Sequence, residues 1–271
     1  MHDLPSHLDV IVGIPRSGLL VANLISLYRN LPLTDVDGLL NGRLIKGGVR
    51  SASSGPNKDI LTDARNILVV DDSIASGNQI KRVKEKLTRL KSPVQILYAA
   101  VYAPLGEAKH LVDYFYEEVP RPRIFEWNIM HHRFLTTFCV TLEGVICRNP
   151  TIQEQKDKAL YGNYIRNVKP TLIPTQSIGY LITFRPEKYR SLTEKWLSKN
   201  QIPYENLILI DAPFPQASAS EIKQAEAKGH FYKSTNSQLF IEGIRSQAEE
   251  IAHISGKSVI CRTTGRMIQP T

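Results

Sequence analysis

Between Ile67 and Gly77 the chain reads four apolar residues, two aspartates and a turn of small side chains: Ile67-Leu-Val-Val-Asp71-Asp72-Ser73-Ile-Ala-Ser76-Gly77. An unbroken apolar run of this length predicts a strand covered on both faces, and such strands belong to parallel sheets packed between helices. The segment from about Ser76 to Leu90 places Ile80, Val83, Leu87 and Leu90 on one helical face, with lysines and arginines between them. A strand that leaves through two acids into a glycine turn and an amphipathic helix is one βα step of an open α/β sheet. Ligands of such sheets bind at the carboxyl ends of the strands.

The same rhythm runs along the rest of the chain. Residues 9–12 predict a buried strand, 13–18 a turn, 19–28 a helix and 95–102 a further strand. Between Lys46 and Asp59 a Gly/Ser-rich stretch with Pro56 predicts a mobile loop. The cluster Pro120-Arg121-Pro122-Arg123 breaks the rhythm and predicts a domain boundary. Beyond it, strands are expected at 138–140, 180–183, 207–210, 239–241 and 259–261. Helices lie between them, such as 244–254, with Ile244, Ala248 and Ile251 on one face and Gly256 as C-cap. No internal repeat or low-complexity tract interrupts the series.

Composition narrows the function classes. Hydrophobic residues make up 42% and charged residues 22% of the 271, a globular balance. No run approaches the roughly 18 apolar residues of a membrane span. The first nine residues are polar, without the apolar core of a secretion signal. Cys139, Cys147 and Cys261 form no CxxC pair, which predicts free thiols and a cytoplasmic location. The net charge of +8 suits an anionic partner. No basic block, zinc finger or aromatic-basic signature accompanies it, so a small polyanion is expected rather than nucleic acid.

A small-residue turn at a helix N-terminus offers unpaired backbone N–H groups and the positive end of the helix dipole, so it binds phosphate. Ser73 and Ser76 add hydroxyl donors. Two carboxylates beside a phosphate would repel it, so Asp71 and Asp72 need another task, such as accepting from sugar hydroxyls or influencing a bound Mg²⁺. This run resembles the phosphoribosyl pyrophosphate (PRPP) motif of type I phosphoribosyltransferases. The resemblance implies that Asp71 and Asp72 hold the ribose 2′ and 3′ hydroxyls, reaching Mg²⁺ only through PRPP. It also implies that Ser73, Ile74, Ala75, Ser76 and Gly77 wrap the 5′-phosphate.

A second element, Gly13-Ile-Pro-Arg16-Ser17-Gly18, resembles the pyrophosphate loop of the same family. Its glycines admit an anion close to the backbone, and the planar fork of Arg16 can clamp a diphosphate. Lys46, Arg50 and Lys58 stand where the family has its flexible catalytic loop. The implied reaction displaces pyrophosphate from PRPP by a nitrogen acceptor, a nucleobase by expectation. The catalytic set is Arg16, Asp71 and Asp72, and the family implies a homodimer. Few residues precede the first strand, where the family builds much of its base-binding hood. A non-catalytic PRPP sensor is therefore the alternative expectation.

The second half carries a different resemblance. Phe138-Cys-Val-Thr141-Leu-Glu143-Gly144 is similar to the first motif of the haloacid dehalogenase (HAD) superfamily, in which Asp-x-Asp-Gly follows a strand. Thr183 at the end of Leu181-Ile-Thr183-Phe-Arg185, Lys228, and Glu242 in Phe240-Ile-Glu242-Gly243 stand at the later motifs. Thr141 replaces the nucleophilic acid, and a threonine without an adjacent base is a poor nucleophile. Gly243 stands where a further acid is often found. The implied domain is a degenerate HAD site without phosphatase activity, retaining at most a phosphate hold through Thr183 and Lys228. An active phosphatase using Glu143 is disfavoured by Thr141.

The order of the two halves resembles bacterial two-domain proteins described as orotate-phosphoribosyltransferase-like, joined by a linker such as Phe125-Glu-Trp-Asn-Ile-Met-His-His132. Trp127, His131 and His132 are candidates for lining the domain interface. Two adjacent histidines without a third ligand are expected to pack rather than bind metal. The expected fold class is α/β, with two Rossmann-like domains, each a mainly parallel sheet flanked by helices. The PRPP-binding domain spans residues 1–124 and the HAD-like domain 125–271.

Overall fold

A computed structural model of the chain describes residues 4–45, 64–90, 93–120, 123–125, 127–210 and 221–270. The expected loop lysines and arginine, Lys46, Arg50 and Lys58, lie outside the described residues. The chain divides into two compact units, Met1–Arg123 and Ile124–Thr271.

The first unit runs β1 (Val10–Gly13), α1 (Gly18–Arg29), β2 (Leu33–Asp35), α2 (Val36–Leu40), β3 (Asn66–Ser73), α3 (Asn78–Leu87), β4 (Gln95–Ala103) and β5 (Tyr114–Glu118). The five strands are parallel, in the order β2-β1-β3-β4-β5. Successive side chains along a strand point to opposite faces. Val10, Val12, Ile67 and Val69 pack with Ile80, Val83 and Leu87 of α3. Ile11, Leu68 and Val70 pack with Ala22 and Ile25 of α1. Helices thus cover both faces, and this is why the central strands are apolar at every position. The Asp9 carboxylate accepts the N–H groups of Arg65 and Asn66, each at 2.8 Å, tying the entry of β1 to the entry of β3.

Two edge strands have no counterpart in the sequence pattern. β2 is three residues long with only Thr34 buried, and β5 leaves Phe115 and Tyr116 exposed. An edge strand packs too little apolar surface to write an unbroken run. Helix α3 begins at Asn78 rather than Ser76, because Gly77 takes a φ of 78° and turns the chain into the helix.

The second unit runs β6 (Phe138–Thr141), α4 (Ile152–Lys156), α5 (Lys158–Asn167), β7 (Ile178–Thr183), α6 (Arg190–Lys199), β8 (Tyr204–Leu209), α7 (Glu221–Ser234), β9 (Leu239–Glu242), α8 (Arg245–Ser255), β10 (Val259–Cys261) and β11 (Arg266–Ile268). Its sheet order is β11-β10-β9-β6-β7-β8, parallel except for β11 against β10. Val140, Leu181 and Ile241 pack on one face, and Cys139, Ile182 and Phe240 on the other. Gly256 ends α8 in the left-handed region at φ 67°, as the sequence predicts.

Among the described residues no helix is long and apolar enough to cross a membrane. The three cysteines are free and buried. His131 Nδ1 lies 3.0 Å from Thr175 Oγ1, 44 residues away, and His132 accepts the Phe134 N–H at 3.3 Å within its own turn, so both histidines have protein partners.

Candidate functional site

In the first unit the chain leaves β1 for β2 on one side, while β3 lies on the other. The strand order therefore reverses between β1 and β3, and the crevice beyond their carboxyl ends is the ligand position of a doubly wound sheet. The register is level there: Gly13 pairs with Val70, and the Ile14 N–H continues the ladder to the Val70 carbonyl at 2.9 Å. The chain from β1 enters the turn carrying Arg16, and the chain from β3 passes Asp71 and Asp72. The two expected motifs meet at this point.

Two glycines allow the approach. A Cβ on Gly13 would lie 2.8 Å from the Leu19 Cα, so the turn doubles back tightly onto α1. A Cβ on Gly18 would lie 2.6 Å from the Val70 carbonyl oxygen and 3.0 Å from both Cα and Oδ1 of Asp71. Helix α1 thus begins against the aspartate itself. The Pro15–Arg16 peptide is cis, and Arg16 is exposed, with no ion pair among the described residues. Gln79, in the first turn of α3, donates from Nε2 to the Pro15 carbonyl at 3.1 Å and joins the two loops.

Asp71 is buried and Asp72 half-buried. The Asp71 Oδ1 accepts the Asp72 N–H at 2.9 Å. Burial, with the neighbouring Asp72 carboxylate adding to it, pushes the Asp71 carboxyl up to about 7. Ser73 is half-buried, Ala75 and Ser76 are exposed, and Ile74 anchors the loop between them. The Ile74 N–H donates to the Tyr102 carbonyl at 2.9 Å, and its carbonyl accepts from the Arg123 guanidinium. Gly77 caps α3 without a side chain, so the leading amides of the helix are left to other acceptors. Asp71 and Asp72 are the carboxylates at this crevice, and a Mg²⁺ there would be held largely by the oxygens of a bound diphosphate.

The second unit brings its five expected residues together as well. Thr141 and Glu143 leave β6, Thr183 ends β7, Glu242 ends β9 and Lys228 projects from α7. Thr141, Glu143, Lys228 and Glu242 line one cavity of about 580 Å³, and Thr183 donates to Glu143 Oε2 at 2.8 Å. Lys228 is buried, not a surface charge: its Nζ donates to Glu242 Oε2 and Gln247 Oε1, both at 2.7 Å. Thr141 also donates to Glu242 Oε2 at 2.7 Å, and Glu242 Oε1 accepts the N–H groups of Gly243 and Ile244. Arg185, fully buried, donates from Nε to Glu143 Oε1 at 2.7 Å. Every carboxylate oxygen of Glu143 and Glu242 is occupied, and each acid is matched by a buried cation. This set does not fit a Mg²⁺ ion, which needs several free oxygen donors.

Gly243 has a steric reason to be glycine. A Cβ there would lie 2.6 Å from the Gly144 carbonyl oxygen and 2.9 Å from its Cα. The turns after β6 and β9 touch backbone to backbone, so a further acid has no room. Arg185 and Gln247 are the functional candidates with no role assigned from sequence. For Gln247 a signal exists, since it falls three residues after Ile244 and four before Ile251, on the apolar face of α8.

No curated protein matches the chain. Among solved structures, a Helicobacter pylori xanthine-guanine-hypoxanthine phosphoribosyltransferase is 21% identical, with 45% of this chain and 76% of that one covered at a TM-score of 0.33. A purine phosphoribosyltransferase from Pyrococcus horikoshii is also 21% identical, with 44% and 79% covered at a TM-score of 0.27. Residues 2–133, which carry Arg16, Asp71 and Asp72, match the family model of the phosphoribosyl transferase domain.

Proposed function

We propose that the first unit is a PRPP-dependent phosphoribosyltransferase that passes ribose 5-phosphate to a nitrogen acceptor, a nucleobase, and releases pyrophosphate. The observation that carries this reading is the convergence of the Arg16 turn and the Asp71-Asp72 exit at the β1/β3 reversal. Contact at Gly18 and the Gln79–Pro15 hydrogen bond hold that geometry. The family match over residues 2–133 supports it.

In this reading the ribose hydroxyls donate to Asp71 and Asp72. The 5′-phosphate sits on the backbone amides from Ala75 to the start of α3, where the dipole favours an anion, with the Ser73 and Ser76 hydroxyls beside them. Arg16 donates to the pyrophosphate, whose charge grows as its bond to the anomeric carbon breaks. A cation aimed at that charge lowers the barrier without forming a covalent intermediate. The acceptor nitrogen attacks the opposite face of the anomeric carbon. Oxygens of PRPP would hold Mg²⁺, which Asp71 and Asp72 reach only through the bound PRPP, and the ion when bound would offset charge on the leaving group. A carboxyl raised toward neutrality in a crevice is itself a mark of a working site.

The second unit is, in the same proposal, a HAD-like domain whose phosphatase chemistry is gone. The carboxylate beside Thr141, that of Glu242, is held by Lys228 and two backbone N–H groups, and Glu143 is held by Arg185 and Thr183. The experiment is an assay of pyrophosphate release from PRPP and Mg²⁺ against a panel of nucleobases, run beside hydrolysis of generic phosphate esters. Release with one base and no ester hydrolysis is the expected pair of results. PRPP binding without release for any base would instead favour the sensor.

A further inference from the structure

Helices α1 and α3 cover opposite faces of the first sheet, and their outward faces differ in kind. Each helix has five exposed residues. Those of α3 are Asn78, Gln79, Lys81, Arg82 and Glu85, all polar or charged, as a face in water should be. Of the five on α1, four are large and apolar: Leu20, Leu24 and Leu27, 55%, 54% and 73% exposed, and Tyr28, 63% exposed. The fifth is Asn23. At 3.6 residues per turn the four share one arc of about 100°, on the side away from Ala22 and Ile25, which pack on the sheet.

Helix α1 is therefore apolar all round, the composition of a covered helix. The four side chains present roughly 400 Å² of mainly apolar surface. That is about half of one partner's share of a standard interface, and it supplies the apolar centre such an interface needs. Charge narrows what covers it. The one charged residue of the helix is Arg29, half-buried, with its Nη2 donating to the Leu4 carbonyl at 3.2 Å. A strongly charged partner would find no complement there, and a helix seated on a membrane brings lysines and arginines beside its apolar face. The spacing points to a copy of the same helix. Leu20 lies four residues before Leu24, about 6 Å along the axis, and Leu27 and Tyr28 lie three and four residues after it, about 5 to 6 Å. The stripe reads alike from either end, as a twofold contact between antiparallel helices requires.

We propose that α1 is the contact between two copies of this chain, packed antiparallel about a twofold axis near Leu24. Leu24 meets its own counterpart, and Leu20 meets Leu27 and Tyr28 of the second copy. A neutral apolar stripe meets itself without a charge conflict. The inference rests on the surface of α1 and is independent of the reaction proposed for the crevice.

The test is the mass of the full chain in solution by sedimentation equilibrium, with variants along the stripe. The wild type is expected at twice the chain mass of 30.5 kDa. Leu24→Lys sets two ammonium groups against each other on the axis. The dimer dissociation constant should then rise at least about 100-fold, with the circular-dichroism spectrum retained. Leu24→Cys tests the geometry without a charge, should the lysine variant fold poorly. The native cysteines Cys139, Cys147 and Cys261 are buried. Under mild oxidation Leu24→Cys should give a disulfide-linked dimer, because a residue beside a twofold axis meets its own copy within disulfide range. Leu20→Cys should link to Leu27→Cys in a mixture and not to itself. A wild type that is monomeric at every concentration would overturn the proposal. So would a dimer whose affinity is unchanged in Leu24→Lys, or a dimeric Leu24→Cys that stays unlinked.

Discussion

Asp71 accepts the backbone N–H of Asp72 at 2.9 Å while its own carboxyl, buried beside the Asp72 carboxylate, is pushed up to about 7. The ordinary carboxyl value is 3.8, so the folded chain binds more protons than the unfolded chain over the interval up to about 7. Stability of the first unit is therefore greatest at the acid end of that window and falls as pH rises through it. The fall is at most about 1.4 kcal/mol per pH unit for one proton. Urea titrations at several pH values should show this slope in the wild type and lose it in Asp71→Asn. A slope that survives in the variant would assign it to another group.

The same shift predicts the pH dependence of ligand binding. A diol donates to ionised carboxylates, so PRPP affinity should rise as pH climbs through about 7, and binding near neutrality should release a proton. Calorimetry in two buffers of different ionisation enthalpy reads this directly. Identical heats in both buffers would mean that Asp71 is already ionised or does not meet the ribose.

Arg16 is assigned to the pyrophosphate and not to the ribose. Arg16→Ala should weaken pyrophosphate binding by about 10- to 100-fold, the value of hydrogen bonds to a charged group. Ribose 5-phosphate should lose at most about threefold. Equal losses for the two ligands would remove Arg16 from this role.

Gly18 is a packing requirement with a functional consequence. In Gly18→Ala the new methyl would lie 2.6 Å from the Val70 carbonyl oxygen and 3.0 Å from Asp71. Helix α1 must retreat, at a cost of about 1–3 kcal/mol. A lower melting temperature together with weaker PRPP binding is expected. A variant of unchanged stability and affinity would show that the turn does not rest on Asp71.

Restoring an acid at Thr141 should not restore hydrolysis. Thr141→Asp would exchange the hydroxyl that donates to Glu242 at 2.7 Å for a carboxylate facing that acid. Like charges at this distance repel, and Glu143 stays bound to Arg185. The expected outcome is a lower melting temperature and no gain with generic phosphate esters. A clear gain would mean that the nucleophile alone separates this unit from an active phosphatase.

Much of this was legible in the sequence because central parallel strands leave a continuous apolar record. Ile67–Val70 and Phe138–Val140 are buried on both faces, so their helices and their carboxyl ends could be located by pattern. Edge strands such as β5 leave no such record, because their outward residues are free to be polar or aromatic. The candidate residues fall at the ends of the recorded strands: Asp71 and Asp72 are legible from the run that carries them, Thr141 and Glu242 through the resemblance of their strands to known motifs. Their partners were not legible. The pairing of Arg185 with Glu143 spans 42 residues, and that of Thr141 with Glu242 spans 101. Such contacts are products of sheet order, which local periodicity does not encode. The steric reason for Gly243 is likewise visible only once Gly144 is seen against it.

The central claim is that the β1/β3 crevice holds PRPP through its two aspartates. Calorimetric titration of PRPP with Mg²⁺ into the full chain, wild type beside Asp71→Asn/Asp72→Asn, tests it most directly. The account predicts saturable binding by the wild type and a loss of about 100-fold or more in the variant, the value of two charge-assisted hydrogen bonds, with the melting profile retained. Equal affinity in the two proteins, or no binding by the wild type, would contradict it.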